Sequence, residues 1–196
     1  ESLHAMQFIG PPFTFGFEEL ARNCGVISKG GVVTHNSISY WMSSGEFYLY
    51  NGVVTPIPCT VHRYVFENIN RAQLTKVTAA LNVRFHEITW FYPSAASKEN
   101  DRYVTFNYQE QVWYIGSIVR TGWLDSELFE FPFGLSADGT LYYHEFGVND
   151  DDNAMVSYVE SAEFDIAEGD HLFFISRLVP DLTVTAGSVD YTLHSI

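Results

Sequence analysis

At 196 residues the chain is long enough for one full hydrophobic core or two small ones. Aromatic residues reach 16% while charged residues stop at 17%, a balance that suits strands and turns and excludes intrinsic disorder or a coiled coil. The net charge of −14 is uneven: residues 1–98 carry 7 Lys and Arg against 6 Asp and Glu, and residues 99–196 carry 3 against 18. An acidic surface of that kind repels phosphate, which argues against gripping nucleic acid through its backbone and against sequence-specific contact with it. Two cysteines, Cys24 and Cys59, are too few for a disulfide framework, so free thiols are expected. No apolar run approaches the length of a membrane span, and no membrane contact is expected.

In chain order, residues 1–17 alternate around Met6, Phe8 and Ile9, break at Gly10-Pro11-Pro12, and resume with Phe13, Phe15 and Phe17. Glu18 to Asn23 reads as one helical turn, and Lys29-Gly30-Gly31 as a bend. Residues 37–43, the turn Ser44-Gly45 and Glu46 to Tyr50 form a hairpin closed by Asn51-Gly52, followed by an extended, proline-stiffened VVTPIPCTV. Residues 64–81 hold the best helix signal, with Asn70 as cap, Gln73 at capping-box spacing and Arg71 to Val77 as acceptable helix formers. From Phe85 to Gly116 three strands run in series. The first stops at Pro93, a polar loop spans 94–101, the second alternates from Tyr103 to Tyr108, and the third starts at Val112.

Beyond it, Gly122 reads as a bend and Pro132 as a stop. Phe133 to Ser136 and Thr140 to Phe146 make another hairpin around Ala137-Asp138-Gly139. Gly147 to Asn153 is an acidic loop, and residues 155–166, 171–178 and 182–193 read as three further strands. The segments ISYWMSSGEFYLYNG, ITWFYPSAASKENDRYVTFNYQEQVWYIG and PFGLSADGTLYYHEF share one pattern of aromatic strand, turn and alternating aromatic strand. Tyr40, Trp90 and Gly134 mark equivalent points, at spacings of 50 and 44, within the range of propeller blades. The expected architecture is all-β: antiparallel meanders forming part of a β-propeller over residues 1–150, then a small sandwich-like or meander segment over 151–196, with one or two short helices. Both ends read as strands cut mid-pattern, so a piece of a longer protein is expected.

The words YWMSSGEFYLYNG, INRAQ, WFYPSAASKENDRYVTFNYQEQVWYIG and FDIAEGDHLFFISRLVPDLT resemble tail-associated structural proteins of tailed bacteriophages and prophages, akin to the packaged-DNA stabilisation proteins of short-tailed phages. The likeness covers most of residues 20–185 and is most specific over 85–116. It implies a non-enzymatic virion component near the portal end, assembled in the host bacterial cytoplasm. Such a component forms a homo-oligomeric ring, helps retain packaged DNA and supports other tail and portal proteins. Cytosolic assembly in turn implies reduced thiols. The family supplies no catalytic motif, and its members are several times longer than this chain.

No residue is assigned a catalytic, cofactor-binding or metal-binding role from the sequence, and no cofactor is expected. His35, His62, His86, His144 and His171 lack metal spacing, and His144 and Glu145 alternate across a strand. Cys59 near His62 has the types of a nucleophile and base, without any motif around them. Asp150-Asp151-Asp152 is the one run where calcium has carboxylates to use, although the alternation and glycine of an EF-hand are missing. Glu99-Asn100-Asp101-Arg102 reads as acids capping a turn, with Arg102 as neighbouring counter-charge. The alternative class is a glycan-binding module or glycoside hydrolase. Its platform would be Trp41, Trp90, Trp113 and Trp123, with Glu87 and Asp125 as the carboxylate pair.

Overall fold

The period-two alternation between Val32 and Tyr143 becomes three antiparallel meanders in the computed structural model, which describes residues 2–125, 129–151, 153–155, 174–183 and 188–193. The chain divides into two units, Glu1–Val148 and Asn149–Ile196.

The first unit begins with a free-standing hairpin of β1 (Ser2–Phe8) and β2 (Phe15–Arg22). The expected helical turn at Glu18 to Asn23 is therefore strand as far as Arg22. Cross-strand pairing of Glu18 with Ala5 and Glu19 with His4 overrides the helix preference of those residues. Next come four strands in sequence order: β3 (Val32–His35), β4 (Ile38–Met42), β5 (Phe47–Tyr50) and β6 (Val54–Ile57). A second four-stranded sheet repeats this with β7 (Thr78–Asn82), β8 (Glu87–Tyr92), β9 (Arg102–Asn107) and β10 (Val112–Gly116). A third has β11 (Gly122–Leu124), β12 (Phe133–Leu135) and β13 (Leu141–Tyr143). Gly122 is thus inside a strand, paired with Leu135, and makes no bend.

Between the first two sheets lies α1 (His62–Asn68), which buries Val65 and Phe66. It starts before the segment expected to be helical. The Asn70 side chain does cap the next turn, accepting from the Ala72 N–H at 3.0 Å, but Arg71–Lys76 is 3₁₀ and Gln73 leaves helical geometry at φ −120°. The capping-box pair is consequently not formed.

The three sheets stack face to face. On the middle sheet, Ile88, Trp90 and Tyr92 point to the first sheet and join one core with Tyr40, Met42, Phe47, Val104 and Phe106. The Phe47 ring centroid lies 4.9 Å from that of Trp90 and 4.7 Å from that of Trp113. Phe91 points the other way, 5.8 Å from Trp123 of the third sheet. The initial strands β3, β7 and β11 are neighbours in that order. Gly30, just before β3, bridges Thr78 in parallel fashion, and the Thr78 hydroxyl donates to the Thr121 carbonyl at 3.3 Å, just before β11. Burying these faces at ~25 cal/mol per Å2 of apolar area is what holds the stack together.

The repeat is real, but its register differs by one residue from the one the sequence pattern suggests. Trp90 faces the preceding sheet, whereas Tyr40 faces the following one, so the first-sheet counterpart of Trp90 is Trp41. The described strands make no closed barrel.

In the second unit Asn149–Asp150 (β14) pairs with Asn153–Ala154 (β15), so the expected acidic loop is a tight hairpin with Asp151 at φ 50°. Residues 174–183 and 188–193 carry no strand, because no neighbouring segment pairs with their backbone among the described residues. The rest of the three expected C-terminal strands lies outside the described residues.

Candidate functional site

The four tryptophans are fasteners between segments. Each indole N–H donates to a backbone carbonyl far away in sequence: Trp41 to Cys24 at 2.7 Å, Trp90 to Gly31 at 3.1 Å, Trp113 to Pro58 at 2.8 Å, and Trp123 to Leu81 at 3.0 Å. Trp41 and Trp90 are fully buried. A buried indole whose one donor is already used offers neither a face nor a hydrogen bond to a sugar. The structure therefore does not bring the four rings together as one platform, although Trp90 and Trp113 of the second sheet stack with ring centres 6.1 Å apart. It distributes the four rings over three sheets.

The two acids named from sequence act on different neighbours. Glu87 accepts from the Tyr114 hydroxyl, which together with burial holds the Tyr114 phenol well above its ordinary range. The Asp125 carboxylate lies near Tyr108, whose phenol is raised chiefly by burial and then by that charge. The acid that does approach Glu87 is Glu145, whose carboxyl is raised by desolvation and by the Glu87 charge. Asn82 donates to Glu145 at 3.5 Å, and its own Oδ1 is buried without a hydrogen-bond partner. This pairing brings a residue just beyond β13 to the start of β8. No spacing in the sequence signals it, since it arises from sheet stacking alone. As chemistry it is two carboxylates partly sharing a desolvated environment, one of them already engaged by a tyrosine. Two recesses of the first unit, one on the third sheet and one beside Cys59 and His62, lie elsewhere, and neither is lined by Glu87, Glu145 or Asp125.

The remaining candidates are accounted for by local structure. Burial pushes the Cys59 thiol up to about 11, and His62 Nε2 donates to the Gly45 carbonyl at 2.6 Å, so the pair is not set up as nucleophile and base. Cys24 and Cys59 are both free thiols. Asp101 accepts from the Ser94 N–H and hydroxyl, both at 2.7 Å, which is the turn-capping role expected. Arg102 instead donates to the Tyr64 hydroxyl and lies 5.3 Å from its ring centre, while Glu99 pairs with Lys76. His35 and His86 both pack on the Tyr108 ring, at 5.6 Å, and Arg120 donates to His144 Nε2 at 2.7 Å. His171 and Asp152 lie outside the described residues. Among the described residues no group of three or more His, Cys, Asp or Glu is placed to hold a metal ion.

Two apolar surfaces, neither singled out by sequence reasoning, stand open. On the β1–β2 hairpin, Met6, Phe8, Phe15 and Phe17 share one face by their register and are 61%, 72%, 50% and 72% exposed. On the third sheet, Leu124, Phe133, Leu135 and Leu141 face away from the middle sheet and, with Phe129, line a recess of about 340 Å3. The sequence signal is the phenylalanine run at 13, 15 and 17 next to a turn, which marks a strand face but not whether anything covers it. No protein-family model matches the chain, and no curated protein matches it.

Proposed function

We propose that the chain is a non-enzymatic structural protein of a phage tail or head-to-tail complex, part of a ring that helps retain or conduct packaged DNA and supports tail assembly in the virion. The observation that carries this reading is the serial stack of three meanders with their first strands side by side, the relation that successive propeller blades have around an axis. Three sheets make an arc, and a propeller needs four to eight, so an arc of this kind is suited to completion by further protein. The likeness of residues 20–185 to tail-associated proteins agrees with it. Its partners on this reading are other tail and portal proteins and further copies of itself. The acidic second half is turned in part toward the DNA path.

The glycan reading has less to stand on, because Trp41 and Trp90 are fully buried and each of the four indole N–H groups already donates to a backbone carbonyl. Purified protein is expected to leave bacterial surface polysaccharide intact. Turnover abolished by Glu87→Gln or Glu145→Gln would replace assembly with hydrolysis. The direct test is immunogold labelling of tailed particles whose genome encodes this chain. Gold at the head-to-tail end is expected, and unlabelled particles in which the antibody detects no chain after disruption would overturn the proposal.

A further inference from the structure

The stack of sheets has two different ends. At one end, Asn23 and Cys24 lie over the outer face of the first sheet: Trp41 and Tyr48 stack there with ring centres 5.7 Å apart, Trp41 donates to the Cys24 carbonyl and the Tyr48 hydroxyl lies 3.4 Å from the Asn23 carbonyl. The β1–β2 hairpin is attached directly to this segment and carries its bare apolar face away from the core. At the other end, the third sheet shows the open face of Leu124, Phe133, Leu135 and Leu141. The first and second sheets have four strands each and the third only three, leaving the outer edge of β13 without a neighbour among the described residues.

We propose that the β1–β2 hairpin of one copy docks on the open face and β13 edge of the third sheet of a second copy. Three observations lead to this occupant. First, the two internal interfaces of the stack are both one apolar sheet face laid on the next, and the open face of the third sheet continues that series. Second, a lone two-stranded hairpin is marginal in water, so the hairpin gains from a sheet to rest on, and an open strand edge is a template for one more strand. Third, the exposed area is of the right order: Met6, Phe8, Phe15 and Phe17, 50–72% exposed, present roughly 500 Å2, the larger part of the ~800 Å2 per partner that a stable specific interface buries. The first and third sheets pack on opposite faces of the middle sheet, so hairpin and open face sit at opposite ends of one stack. The contact therefore runs between copies and is heterologous, which closes into a ring or grows as a filament. It rests on the assembly reading and gives that reading a defined self-contact.

The test is a complementation by analytical ultracentrifugation on the full chain. Phe8→Glu with Phe17→Glu spoils the hairpin, and Leu135→Glu with Leu141→Glu spoils the open face. All four side chains are more than two-fifths exposed, and unchanged near-ultraviolet circular dichroism checks that the stack survives. Wild type is expected to form species larger than a dimer as concentration rises. Each double variant alone should stay monomeric. Their equimolar mixture should stop at the dimer, because one intact hairpin then meets one intact face. A monomeric wild type, a variant that assembles like wild type, or a mixture without dimer would each overturn the contact. None of these results touches the particle labelling on which the assembly reading depends, so the two fail separately.

Discussion

Trp90 is fully buried between the first two sheets, and its N–H satisfies the Gly31 carbonyl at the start of the first meander. Replacing it with Phe keeps an aromatic ring but removes one of that carbonyl's two donors, leaving the Met42 N–H at 3.2 Å, and opens a small void. The expected loss is about 2–4 kcal/mol, read from urea denaturation, against a change near zero for an exposed position such as Val53→Thr. Alkaline pH probes the same core through a different property. Burial is the first cause that raises Cys59 from an ordinary 9.0 to about 11, and Tyr92 from 10.0 to about 12. Tyr48, raised to about 12, adds its hydrogen bond to Glu46. In each the folded state prefers the neutral, protonated form. Their stabilisation is therefore complete below the unfolded values and is lost as pH rises through the folded ones. Urea midpoints are expected to hold steady up to pH 9, then fall progressively toward pH 12, with ionisation of Tyr48 and Tyr92 appearing together with unfolding. Early, independent ionisation of these two tyrosines in a still-folded chain would contradict this.

Within the second sheet, Gly116 at the end of β10 lies against the tip of the Tyr103 ring. A Cβ there would come within 2.3 Å of that ring. Gly116→Ala is expected to displace Tyr103 and cost about 1–3 kcal/mol. Gly45→Ala, in the first-sheet turn with open space around it, should be neutral or stabilising by about 0.4–1 kcal/mol through the unfolded chain. Thermal melts of the two variants side by side check the difference. The contrast also marks what a sequence can tell. The turns at Ser44-Gly45 and Asp138-Gly139 and the alternation of β8 and β9 are local signals, and all appear where expected. The position of α1 escapes local reading because it has no side-chain N-cap, no acid in its first turn and no base in its last. The second half of β2 reads as helix because Glu18 to Arg22 are good helix formers until β1 pairs with them. Aligning Tyr40 rather than Trp41 with Trp90 is a slip of one residue, which in a strand exchanges the two faces. The tryptophan fasteners, the approach of Glu145 to Glu87 and the bare hairpin face are illegible for one reason: each is set by how whole sheets lie against one another.

For the molecule as a whole, the charge imbalance outweighs any single ion pair. Ion pairs such as Glu19 with Arg22, Glu67 with Arg63 and Glu99 with Lys76 are largely exposed and contribute little. Residues 99–196 hold 18 acids against 3 bases, and Asp150 and Asp151 are on the surface of the second unit. Their most direct consequence is repulsion of phosphate within about 8–10 Å at physiological ionic strength. A conduit through which DNA must slide benefits from a wall that does not hold phosphates, and acids supply that without any specific contact. If they line the path, neutralising Asp150, Asp151, Asp152, Glu160, Glu163 and Asp165 to Asn or Gln lowers the wall's negative charge by six. Particles carrying that variant are then expected to assemble normally but to eject DNA more slowly than wild type at low salt. The gap should narrow as salt rises, because screening removes the repulsion from both. Ejection followed by dye fluorescence on single particles gives the comparison. Equal rates at every salt concentration would put these acids on the outer surface, where they serve solubility, and would remove the proposed conduit role without touching the proposed structural one.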